Sequence, residues 1–235
     1  MSAVAGLGER LRVGSRERWE RLHSHPFIEQ LASGTLPLDT FRFYLEQNLQ
    51  YLPEYARAMA LAVSRADEIE VMQVFVADLT SIIETEIPQN RELLRRVIES
   101  GARDLGGSVG LAPANVAYTS FLVGTAATST PLEVMAAVLP CTWSYGEIAS
   151  RLTGDIKEHE IFAGWIRFFG SDAYSDVVQR MCRDLERLAQ ENPSVPEERL
   201  EELFARSVQL EEGFWDMALA LEHWPDVRTL YPLCS

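Results

Sequence analysis

Near the end of the chain, Phe204, Val208, Glu211 and Trp215 fall at i, i+4, i+7 and i+11, which sets one carboxylate in an otherwise apolar row of a helix. An unpaired buried carboxylate is costly, so its pKa rises unless a cation or several donors compensate. A raised carboxyl suits proton transfer near neutrality, whereas an arginine partner would make the same residue structural. Glu212, next door, is expected to be solvated. A second candidate lies in Leu139-Pro140-Cys141-Thr142-Trp143-Ser144-Tyr145-Gly146-Glu147. A buried cysteine is usually a small hydrophobe, but a local base makes it a nucleophile, and Pro140 suggests a disturbed helix that exposes the sulfur. A third group, Tyr44, Asn48, Tyr51 and Tyr55 at i, i+4, i+7 and i+11, puts three phenols and a carboxamide on one stripe beside the apolar Phe41, Leu45, Leu49 and Leu52. That stripe suits a polar cavity or ordinary hydrogen bonding between helices.

Other chemistry is poorly represented. The three cysteines, Cys141, Cys182 and Cys234, lack the paired spacing of a metal site; Cys182 reads as packing with Val178 and Leu185, and Cys234 as incidental. Of the four histidines, His23 and His25 lie beside a helix break and His159 and His223 among surface charges. Glu84 and Glu86 do not complete a Glu-x-x-His di-iron signature. No glycine-rich phosphate cradle follows a strand.

The elements that must position these side chains are helices, because apolar residues recur at three- and four-residue spacing and alternating patterns are nearly absent. Eight helices are predicted. The first spans 7–32 with a break at His25-Pro26, and Ser33-Gly34-Thr35 ends it. The second spans about 37–64 with a kink at Pro53, and the third 67–100 with Pro88 inside. Residues 101–113 are a glycine-rich loop. The remaining helices cover 115–128, 132–152, 158–169, 173–191 and 197–222. Neither an interdomain linker nor an internal repeat interrupts them, so residues 1–235 are expected to form one domain.

Composition bounds the partners. Of 235 residues, 21 are Lys or Arg and 35 Asp or Glu, a formal net charge of -14. That field repels phosphate backbones and anionic lipid, which disfavours nucleic acid and membrane surfaces. A hydrophobic fraction of 47% argues for a folded core, yet no apolar run approaches the roughly 20 residues that span a bilayer. Residues 1–12 show no export signal. With an odd number of cysteines, reduced thiols in a cytoplasm are the simplest expectation.

Taken together, the motifs resemble the TenA family. His25-Pro26-Phe27-Ile28, Gly34-Thr35-Leu36-Pro37, Phe41, Tyr44-Leu45, Gln47 and Tyr51-Leu52 look like its opening; Leu139-Pro140-Cys141-x-Trp143-x-Tyr145-x-Glu147 is similar to its central motif. Trp165-Ile166 resembles the helix after that, and Glu211-x-x-Phe214-Trp215-x-Met217-Ala218 its end. The resemblance covers roughly residues 16–220. It implies an all-α, haem-oxygenase-like multi-helix bundle, a homotetramer or dimer in this branch, with no haem, metal or redox cofactor. It also implies thiamine-degrading or thiamine-salvaging hydrolysis of a C–N bond on a small aminopyrimidine. A cysteine matching Cys141 adds to the pyrimidine ring, and a glutamate matching Glu211 contacts a ring nitrogen and shuttles protons. Tyr51, Tyr118, Tyr145 and Phe214 match positions that shape the pocket.

Two positions depart from the family pattern, which commonly has Asp at Asn48 and Tyr at Phe169. An amide can still accept from an exocyclic amine and donate to the neighbouring ring nitrogen. It offers no negative charge and no titratable proton site, so any help toward a Cys141 thiolate is lost. Rival readings are a non-catalytic or substrate-divergent pyrimidine-binding protein, motivated by Asn48 and Phe169, an oxidase or oxygenase on the same bundle, and a purely structural helical protein.

Overall fold

The computed structural model describes residues 6–152 and 160–225; Cys234 and His159 lie outside them. Within these residues there are eleven α-helices, one π-helical turn and no strand. The short α1 (Leu7–Gly14), α2 (Arg16–His23) and α3 (Pro26–Ser33) replace the single first helix that the periodicity predicts. The break at His25-Pro26 is where the proline places it: His25 is extended and its Nδ1 accepts from Phe27 N at 3.2 Å, a side-chain N-cap. A second break falls at Gly14-Ser15, a stop-type glycine followed by an N-cap-type serine, without a proline.

The central helix α4 (Leu38–Arg65) runs through Pro53 as one element, with the proline exposed. Its buried face holds Phe41, Tyr44, Leu45, Asn48, Tyr51, Leu52, Tyr55 and Met59, the stripe seen in the sequence. The predicted third helix divides into α5 (Ile69–Ser81), a π-helical turn (Ile82–Glu86) and α6 (Ile87–Glu99). Pro88 falls in the first turn of α6, where its missing N–H costs nothing. The wide π turn just before it spares the chain a clash with the preceding carbonyls.

Residues 100–112 form a loop that Gln47 pins from inside. Gln47 Nε2 donates to the carbonyls of Gly107 (2.7 Å) and Gly110 (2.8 Å), and Gln47 Oε1 accepts from Ala112 N at 2.9 Å. A Cβ on Gly107 would lie 3.0 Å from the Phe43 Cα, so only glycine lets the loop sit against α4. The loop leads into α7 (Pro113–Thr128), followed by α8 (Pro131–Leu152), α9 (Glu160–Phe169), α10 (Asp172–Glu191) and α11 (Glu197–Ala220). Helix α4 packs on α5, α6, α7, α8 and α11, and α8 on α10 and α11. The cysteine, the tyrosine stripe and Glu211 are thereby set on three mutually packed helices.

No helix among the described residues is long and apolar enough to cross a membrane.

Candidate active site

Glu211 is 1% exposed and has no arginine partner among the described residues. Its Oε1 accepts from the Tyr118 hydroxyl at 2.5 Å, and Tyr118 is held in turn by Ser207 Oγ at 3.0 Å. Burial pushes the Glu211 carboxyl up to about 7, against the opposing pull of hydrogen bonds from Tyr118 and Cys141. The structural salt bridge that the sequence left open is absent. Glu212, expected to be solvated, is instead clamped by Arg21 (2.6 Å) and Arg18 (2.8 Å), because one residue's rotation takes it to the face covered by α2.

Cys141 meets Glu211 across the α8–α11 contact. Helix α8 continues unbroken through a buried Pro140, so the sulfur is not turned out to solvent as the proline suggested. Cys141 is only half-buried, yet its thiol is deeply desolvated. Burial, followed by the negative potential of Glu211 and Glu86, pushes the thiol well above its ordinary range, so it stays protonated at neutral pH. The Tyr51 hydroxyl lies close enough to favour the thiolate. It is nevertheless buried with no aligned hydrogen-bond partner, a cost that a ligand would relieve.

Around this pair the aromatic side chains form walls. Tyr51 packs on Tyr118 with ring centroids 5.0 Å apart and on Phe214 at 5.5 Å. Tyr44 donates to the Tyr145 hydroxyl at 3.3 Å and accepts from Trp165 Nε1 at 3.1 Å, which fixes Tyr145 one turn beyond Cys141. Phe169 packs edge-on against Tyr145 at 5.0 Å and against Trp165 at 4.8 Å. It stands behind Tyr145 rather than beside the sulfur. Tyr55 closes the other side, donating to the Val138 carbonyl (3.0 Å) and meeting Thr142 Oγ1 (3.1 Å).

Asn48 reveals a partner that the sequence reading missed. Asn90 Nδ2 donates to the Glu86 carbonyl at 2.9 Å, which leaves Asn90 Oδ1 facing Asn48 Nδ2 at 3.1 Å. The acceptor fixes the donor, so the amide orientation of Asn48 follows from the network. One Asn48 N–H is used; the other and Oδ1 remain, the pair a bidentate contact to an aminopyrimidine edge requires. Glu86, on the π turn, is also part of the cluster. Its carboxyl is pushed up to about 7 by burial and by the charge of Glu211. Both residues were legible in principle, since Ile82, Glu86, Asn90, Leu93 and Val97 keep helical spacing with Ile82, Asn90, Leu93 and Val97 buried.

The remaining candidates for chemistry are structural. His23 Nδ1 contacts the Trp19 carbonyl at 2.7 Å, and His25 Nε2 lies 3.2 Å from Asp216. Glu147, in the central motif, accepts from Trp19 Nε1 at 3.1 Å. Cys182 packs against the core. Among the described residues no three His, Cys, Asp or Glu side chains converge as metal ligands do.

Comparison with known proteins identifies the family and the fold. Residues 15–221 match the model of the TENA/THI-4/PQQC family. An aminopyrimidine aminohydrolase of Halalkalibacterium halodurans is 31% identical over 226 residues, covering 95% of this chain and 98% of that protein. The structure of a TenA homologue from P. horikoshii superposes with a TM-score of 0.81 at 29% identity, over 92% of this chain and 99% of that one. A domain with a haem-oxygenase-like fold from Shewanella denitrificans shares the architecture at 13% identity, with a TM-score of 0.71 over 100% of this chain and 97% of its own.

Proposed function

The chain belongs to the TENA/THI-4/PQQC family, and from that premise we propose that it is a hydrolase of thiamine salvage, cleaving the C–N bond of an aminomethyl-aminopyrimidine or of thiamine. The observation that carries this reading is the cation-free carboxyl of Glu211 against the Cys141 thiol. With the pyrimidine in place, Cys141 gives its proton to Glu211 as sulfur bonds to a ring carbon, and Glu211 passes that proton to the adjacent ring nitrogen. The electron-rich adduct expels the substituent on the exocyclic methylene, ammonia or thiazole. Water then adds to the methylene, its proton is released, and loss of the Cys141 thiolate restores the ring with Glu211 returning the proton to sulfur. Asn48 holds the amine edge, and Tyr51, Tyr118, Tyr145 and Phe214 clamp the ring faces and edges; Phe169 backs Tyr145.

Because the thiol is raised rather than lowered and Asn48 brings no charge, thiolate formation depends on Glu211 as the base, with only the Tyr51 hydroxyl to assist. This favours slow turnover of thiamine itself and a preference for a related substrate. We further propose one domain, a cytoplasmic location and a homotetramer, the last testable by light scattering.

The test is release of hydroxymethylpyrimidine from aminomethyl-aminopyrimidine and from thiamine by the purified chain. Cys141→Ser is expected to abolish it, by about 10³-fold or more, while binding persists as a thermal shift. Full turnover by Cys141→Ser overturns the mechanism, and binding without turnover by the wild type reduces the chain to a pyrimidine-binding protein.

A further inference from the structure

The proposed chemistry leaves Glu86 unused, although its carboxyl is near enough to the Cys141 thiol and to Glu211 to act on both through its charge. No arginine pairs with it and no donor reaches it among the described residues, in contrast to Asp78 on α5, which binds Arg180 Nη2 at 2.5 Å. The Glu86 side chain lines a narrow cleft with Tyr55, Asp78, Thr142, Tyr174 and Met181. The free volume is about 20 Å³, room for roughly one water molecule. Thr142, the residue after Cys141 on α8, lies on the cleft wall. Tyr51, whose buried hydroxyl has no hydrogen-bond partner among the described residues, packs on the cleft-lining Tyr55 with ring centroids 5.7 Å apart.

A second observation ties Glu86 to the ring. Its backbone carbonyl is bonded to Asn90, and Asn90 to Asn48. The residue assigned to hold the pyrimidine and the π turn that carries Glu86 are therefore one hydrogen-bonded unit. A ligand anchored on Asn48 has its substituent placed at a set distance from the Glu86 carboxyl.

We propose that Glu86 pairs with the positively charged substituent of the bound substrate, so that the site holds cationic substrates and lets go of the neutral hydroxymethyl product. This rests on the pyrimidine reading above. Both substituents considered are cationic when bound, an alkylammonium or a thiazolium, and each is replaced by a neutral hydroxyl. An unpaired carboxylate in a dry site is costly until a cation arrives, so substrate binding relieves what product binding does not. The carboxyl sits near 7, and a cationic ligand drives its proton off.

The test measures binding in Cys141→Ser protein, where turnover does not interfere, using aminomethyl-aminopyrimidine and hydroxymethyl-aminopyrimidine. The cationic ligand is expected to bind at least tenfold tighter than the neutral one. Adding Glu86→Gln should bring the two affinities together while leaving the hydroxymethyl affinity unchanged, and Glu86→Asp should keep part of the preference. Asp78→Asn, in the same cleft but already paired with Arg180, should leave it intact. A preference that survives Glu86→Gln, or vanishes with Asp78→Asn, overturns the assignment while leaving the pyrimidine site standing. Binding of neither ligand removes the pyrimidine site itself.

Discussion

The two faces of α11 carry adjacent carboxylates with opposite fates. On the inner face Glu211 meets a phenol, a thiol and no cation, and its carboxyl rises to about 7. On the outer face Glu212 meets Arg21 and Arg18, and its carboxyl is lowered, first by the hydrogen bond from Arg21. The chemical group is the same and the spacing is one residue. What differs is which helix covers each face, and so whether the charged form is stabilised by a partner or penalised by a dry surrounding.

The largest effect expected from that contrast is on turnover. Glu211→Gln should lower kcat by about 10²–10⁴-fold, whereas Glu212→Gln should stay within about twofold; comparable losses from both would erase the distinction. The contrast also sets opposite pH dependences of stability. The folded state holds the Glu211 proton more tightly than the unfolded chain does. Its contribution is therefore complete below the unfolded value and lost as pH rises through about 7. Glu211→Gln should then stabilise the protein at pH 8 by about 1–3 kcal/mol and make little difference at pH 4, as read by denaturant unfolding. A uniform effect at both pH values would mean that packing, not ionisation, is lost.

A smaller effect belongs to the Asn48–Asn90 pair. Asn48→Asp sets a carboxylate against Asn90 Oδ1, which cannot turn without forfeiting its bond to the Glu86 carbonyl. The substitution should cost about 1–2 kcal/mol, and less in an Asn90→Ala background; an unchanged or increased stability would show that the network rearranges freely. The smallest effect is on the outer face. Arg21→Ala removes one exposed partner of Glu212 and should cost little stability, a cost present above the unfolded carboxylate value and lost as pH falls, because the Glu212 carboxyl is lowered. A larger loss would promote this surface pair to a structural role.

Much of this was legible because helical periodicity reports burial directly. A glutamate in the row of Phe204, Val208 and Trp215, and an asparagine in a tyrosine stripe, stand out against residues that must be apolar to pack. Asn90 and Glu86 obey the same rule on the stripe of Ile82, Leu93 and Val97, but Pro88 hid it, since a proline marks disruption without saying that the repair is a π turn. Gly14-Ser15 is a weaker signal, since an isolated glycine is tolerated inside a helix, and both α1 and α2 pack on α11.

The amino-acid pattern alone therefore determined that the chain is helical, which faces are buried, and that one thiol, one carboxyl and one carboxamide lie where apolar groups belong. Those are local consequences of the helix repeat. Which of them meet, whether Glu211 finds an arginine or a phenol, and how Asn48 orients its amide were decided only when helices distant in sequence packed together. A charge or a hydrogen bond takes its value from neighbours that the helix repeat does not specify.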